Sequence, residues 1–107
     1  MKKRMFVFAF ALVLVMALFP QKLGDTVILP NIFLGTSKSS YEKLVRLSVA
    51  RDETGILQMI YAGEAFVVAE GTRGKVIDSA FLSVEVRILD GKYKGYSGWI
   101  SRDLVKK

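Results

Sequence analysis

Fifteen consecutive apolar residues, Met5 to Phe19 (MFVFAFALVLVMALF), follow directly on Met-Lys-Lys-Arg. A helix of that length rises about 22 Å, short of the roughly 30 Å hydrocarbon core of a bilayer. The run is apolar on every face, so it lacks the polar side by which a surface helix sits on a soluble globule. A basic start followed by a short apolar stretch is the pattern of a secretory signal. Lys2, Lys3 and Arg4 are then expected to stay cytoplasmic, with everything after residue 22 delivered across the membrane. The best small-residue cleavage position ends at Ala17, with Val15 two residues earlier, and would start the product at Leu18-Phe19-Pro20. A retained segment would instead span residues 5–21, with Lys22 snorkelling to the interface. Residues 1–22 are thus read as a signal peptide or an uncleaved membrane anchor, and both outcomes stay open at this point.

What can fold lies beyond that segment. Some 70 residues follow the first three dozen, near the lower size limit for a single unstapled core. The sequence contains no cysteine and no histidine. The first absence excludes disulfides, thiolate metal sites, a cysteine nucleophile and a lipid-modified cysteine; the second removes the usual proton shuttle and the commonest metal ligand. The net charge of +6 comes from 16 basic and 10 acidic residues. Four of the cations (Lys2, Lys3, Arg4 and Lys22) flank the apolar run, and all the acids lie beyond residue 24, so the body itself carries a small excess. Such a field neutralises few phosphates, and a nucleic-acid partner is not expected.

Residues 23–38 hold two short apolar patches, Val27-Ile28-Leu29 and Ile32-Phe33-Leu34, divided by Pro30-Asn31. Pro30 interrupts any continuous helix, and the segment reads as a linker or arm. Residues 39–62 read as a helical pair. Ser39 and Glu42 have capping-box spacing, and Tyr41, Leu44, Val45 and Ser48 mark one face. Asp52 suits the cap of a second helix with a stripe of Ile56, Leu57, Ile60 and Tyr61, closed by Gly63. Residues 63–107 read as β. Ala65–Ala69 is a short strand and Glu70–Gly74 a glycine-bearing turn. Ser83–Ile88 alternates, with Val84, Val86 and Ile88 inward. Asp90-Gly91 marks another turn. Short strands with glycine turns predict a small barrel whose closure removes exposed edges.

The ending Val86-Arg87-Ile88-Leu89-Asp90-Gly91, then Gly95-Tyr96-Ser97-Gly98-Trp99-Ile100, then Asp103-Leu104, resembles that of bacterial SH3-like domains of the SH3b type. The resemblance covers roughly residues 62–106, with Gly98, Trp99 and Ile100 as its structural motif. It implies an SH3-like β-barrel. The helix pair before it is an addition to the minimal domain, so the whole is expected to be mainly β with two short helices: an SH3-like β-barrel preceded by the helix pair and by the N-terminal hydrophobic helix. The resemblance also implies an exported module at the cell wall or envelope that binds peptides or partner proteins. The enzyme such modules often accompany has no room in this sequence. Physically, Gly98 lets the backbone pass close to a neighbouring strand or ring, or bend at a barrel corner, and Trp99 is expected to cover an open end of the barrel.

Chemistry is sparse. Glu64, Glu70, Asp78 and Glu85 form no recognisable local pattern for paired-carboxylate catalysis, and Gly71 and Gly74 precede no helix that would cradle a phosphate. No enzyme, cofactor or metal is expected. The candidate binding surface is Lys92-Tyr93-Lys94-Gly95-Tyr96, with Arg87 and Arg73 as neighbours: tyrosine rings flanked by cations suit an acidic or extended partner. The expectation is a non-enzymatic extracytoplasmic binding module in the periplasm or cell envelope. Its ligand would be a protein or a cell-wall peptide, with membrane contact through residues 5–21 if they are retained. The alternative is a small single-span accessory subunit of a membrane protein complex.

Overall fold

The computed structural model describes residues 22–107. The apolar run, with its reading as signal or anchor, lies outside them. No helix among the described residues is long and apolar enough to cross a membrane.

Six antiparallel strands make one sheet. In chain order they are β1 (Thr26–Leu29), β2 (Ile32–Gly35), β3 (Ala65–Val68), β4 (Thr72–Ser79), β5 (Ser83–Ile88) and β6 (Ser97–Ser101). Two helices, α1 (Lys38–Val49) and α2 (Glu53–Tyr61), lie between β2 and β3, and a 3-10 turn (Arg102–Leu104) follows β6. The spatial order is β1-β4-β5-β6-β2-β3.

That order forces curvature. Only Pro30 and Asn31 separate β1 from β2, so Leu29 and Ile32 are at most about 11 Å apart. In a flat sheet these two strands would stand four spacings apart, about 19 Å. The sheet must therefore curl on itself, with β1 and β2 acting as one strand bent at Pro30. It does not close, however: β1 and β3 remain its two edges. This corrects the expected closed barrel. The β1 edge is partly covered instead, where Ile28 exchanges backbone hydrogen bonds with Lys106, N–H to oxygen at 2.6 and 3.1 Å.

The concave face holds the main core, including Val27, Leu29, Leu34, Val76, Val86 and Ile100. Side chains of this size contribute about 1.5–3 kcal/mol each when fully buried. Residues 23–38, read as a linker, thus supply two strands and three of these core residues. Alternation did not reveal them, because each strand is four residues long and the Pro30 bend hides their continuity. Residues 63–107 likewise do not make up the sheet alone, and the helix pair is inserted into it rather than placed before it. The turn expected at Glu70–Gly74 ends early: Gly71 has a φ of 85°, but Gly74 is buried within β4.

The helices cover part of the outer face, where Leu44, Met59 and Ala65 form a second cluster with Phe33, Leu47, Ile56 and Ile60. The α1 cap is Ser37, whose hydroxyl accepts from the Ser40 N–H, rather than Ser39. Gly35 explains the offset. A Cβ there would sit 2.4 Å from the Tyr41 nitrogen, so the end of β2 determines where the helix begins. Asp52 caps α2 as expected, accepting from the Gly55 N–H at 2.9 Å, and Gly63 follows the helix with a φ of 76°. The buried stripe of α2 is Met59 with Ile56 and Ile60; Leu57 and Tyr61 face outward.

Candidate functional site

Residues 89–96 connect β5 to β6 as a well-tied loop. The Gly95 N–H donates to the Ile88 oxygen at 2.9 Å, the Ile88 N–H to the Tyr96 oxygen at 2.8 Å, and the Tyr96 N–H to the Tyr93 oxygen at 2.9 Å. Such a path needs left-handed backbone at two points, and glycine supplies both: Gly91 at φ 82° and Gly95 at φ 90°.

The loop builds an aromatic group on the rim of the core. Tyr93 lies 5.0 Å from the Phe66 ring, Tyr96 lies 5.8 Å from Phe66, and the two tyrosines are 5.4 Å apart, centroid to centroid. Two of these contacts are edge-on, an arrangement that the quadrupole of each ring favours. Phe66 can occupy its place because residue 98 is glycine: a Cβ there would come within 2.9 Å of the ring and 2.8 Å of the Leu34 Cβ. The close approach expected of Gly98 is therefore to both a ring and a strand.

Tyr93 is half-buried against the core, whereas Tyr96 is 55% exposed. The Lys92 ammonium stands 5.5 Å from the Tyr93 centroid, within cation–π range, and Lys94 is exposed on the same loop. A cleft of about 260 Å³ opens beside Tyr93, walled by Val67, Thr72, Ile88, Asp90 and Lys92 among others.

Arg73 and Arg87 behave differently from the loop lysines. The Arg73 backbone N–H donates to Asp90 Oδ1 at 3.0 Å and its Nε to Oδ2 at 2.9 Å. Arg73 holds the Asp90 carboxyl below its ordinary range, first through the hydrogen bond from its guanidinium and then through the one from its backbone N–H. The Arg73 charge is therefore matched, and its role is to brace the start of the loop. Arg87 lies opposite Lys75 on β4 and Ser97 on β6, on the face away from Val86 and Ile88, so the structure does not bring it to the cleft. Lys92, Tyr93, Lys94 and Tyr96 do come together. Phe66 and Asp90 join them, though the sequence marked one only as a strand residue and the other only as a turn.

Trp99 is 8% exposed. Gly98 and Ile100 point into the core, so Trp99 points the other way, opposite Gly35 and Glu85 in the register. It thus lies on the outer face of the sheet, the face that the helices partly cover, and does not plug an open end. Among the described residues, no group of three or more Asp or Glu side chains could hold a metal. Compared with protein-family models, curated proteins and solved structures, the chain matches none.

Proposed function

We propose that this chain is a non-enzymatic binding module, held at the outer face of a membrane by its N-terminal segment, with an SH3-like sheet as its scaffold. Its loop of residues 92–96 takes an extended, acidic segment of a protein or cell-wall peptide. The carrying observation is the pre-tied aromatic group, which leaves Tyr96 exposed beside Lys92 and Lys94. Rings already fixed by backbone hydrogen bonds and by Phe66 lose little side-chain entropy when a partner docks. With Arg73 matched by Asp90, the two loop lysines supply the attraction for a carboxylate.

The test is titration of the 15N-labelled full chain with acidic wall stem peptides and with acidic extended peptides of unrelated sequence. Shift changes should centre on residues 91–96 and on Phe66. Tyr96→Ala combined with Lys94→Ala should weaken binding at least tenfold, about 1.4 kcal/mol, while leaving the fold intact. Unchanged affinity in that folded double variant, or shifts confined elsewhere, would refute the reading.

A further inference from the structure

The turn between β4 and β5 carries two large apolar side chains in the open: Phe81 is 80% and Leu82 63% exposed. Their backbone is held from several sides. The Ala80 N–H donates to the Ser83 oxygen at 2.8 Å, closing the turn. Arg102, itself buried, reaches in from the 3-10 turn: Nη2 donates to Ser79 Oγ and to the Ala80 oxygen, the latter at 2.7 Å. The Arg102 backbone N–H donates to the Leu82 oxygen at 3.0 Å. A buried guanidinium is thus committed to fixing a turn whose side chains face outward.

The chain's own path indicates what faces them. The Gly24 N–H donates to the Val76 oxygen at 2.8 Å, so the described chain comes in beside the half of β4 that leads to this turn. Leu23, next to it, is also exposed. From Phe19, where the apolar run ends, to Lys22 are three Cα steps, a reach of at most about 11 Å. Whatever holds the run therefore holds the start of β1, and the part of β4 beside it, close by. A groove of about 500 Å³ separates the turn from Tyr41 and Val45 on α1, with Lys38, Arg46 and Glu42 at its rim. Two cations against one acid suit an anionic headgroup layer. Asp78 and Asp103, exposed at the foot of the turn, disfavour deeper entry.

We infer that the β4–β5 turn is the membrane-facing end of the domain, with Phe81 and Leu82 seated in the interfacial layer of the bilayer. The inference rests on the anchored reading proposed above. It also fixes an orientation. β5 carries this turn at its first end and the Lys92–Tyr96 loop at its other, about 17 Å away for a six-residue strand. The tyrosine loop then points away from the lipid.

The sequence contains no cysteine, so single labels can be placed cleanly. The full chain is made as Phe81→Cys, Leu82→Cys and Lys94→Cys, each bearing an environment-sensitive fluorophore. Each is reconstituted in phosphatidylcholine–phosphatidylglycerol vesicles with or without dibrominated acyl chains. Matching urea midpoints for the three variants establish that the fold is kept. Labels at 81 and 82 should be quenched by bromolipid at least threefold more than the label at 94, which aqueous iodide should quench instead. Equal quenching at all three sites in a chain that floats with the vesicles overturns the inference and leaves anchoring standing. A chain that fails to float removes the anchored reading and the inference together.

Discussion

At the scale of single residues, Gly98 carries more than its size suggests. It leaves room for Leu34 and for the Phe66 ring on which both loop tyrosines pack. Gly98→Ala should lower stability by about 1–3 kcal/mol through overpacking, read as a drop in the urea midpoint. It should also shift the ring resonances of Tyr93 and Tyr96. The sequence marked Gly98 for a close approach or a corner bend, and the packing of Leu34 and Phe66 against it decides for the first. The direction of Trp99 was not readable, because it depends on which face α1 covers. Asp90 gives a second test. Its folded-state pKa is lowered, so the stabilisation is complete well above the unfolded value near 3.8 and is lost as pH falls through the lower folded value. A carboxyl NMR titration should therefore place Asp90 below the ordinary carboxylate range. Arg73→Ala should raise it part of the way back, because the backbone N–H of residue 73 still donates to the carboxylate.

At the scale of elements, the two helix starts show what a one-dimensional pattern can decide. Asp52 stood alone as a cap and was found in that role. Ser39 was the expected cap of the first helix, and Ser37 takes that place because Gly35 packs against Tyr41. Asp52→Ala and Ser37→Ala should each cost about 1 kcal/mol in urea unfolding, whereas Ser39→Ala should stay within about 0.5 kcal/mol. The stripe of α2 was ambiguous for a related reason. Ile56 with Ile60, and Leu57 with Tyr61, both have i, i+4 spacing, and only the position of the sheet selects the first pair. Strand β5 was fully legible, because Val84, Val86 and Ile88 alternate against polar neighbours.

At the scale of the whole molecule, the sheet draws on both ends of the described chain. Val27, Leu29 and Leu34 come from β1 and β2, more than 30 residues before the strands they pack against. A fragment of residues 63–107 should therefore show no cooperative unfolding transition by far-UV circular dichroism, while residues 22–107 should unfold in one step. A folded 63–107 fragment would mean that β1 and β2 are dispensable. The sequence hid this arrangement because long-range pairing leaves no local period, and because Pro30 divides one bent strand into two short patches.

The way the helices join the sheet has a consequence for how such a chain can change. The Thr36 N–H donates to the Glu64 oxygen at 3.0 Å, and the Thr36 hydroxyl reaches the Glu64 and Gly63 oxygens at 3.1 and 3.3 Å. The 27 residues between Thr36 and Glu64 thus leave and return through a single pinched neck. What lies beyond the neck is, in effect, a cassette: it can change in length or sequence while β2 and β3 keep their partners, provided that it still covers Phe33 and Ala65, so variation in this architecture should accumulate there first.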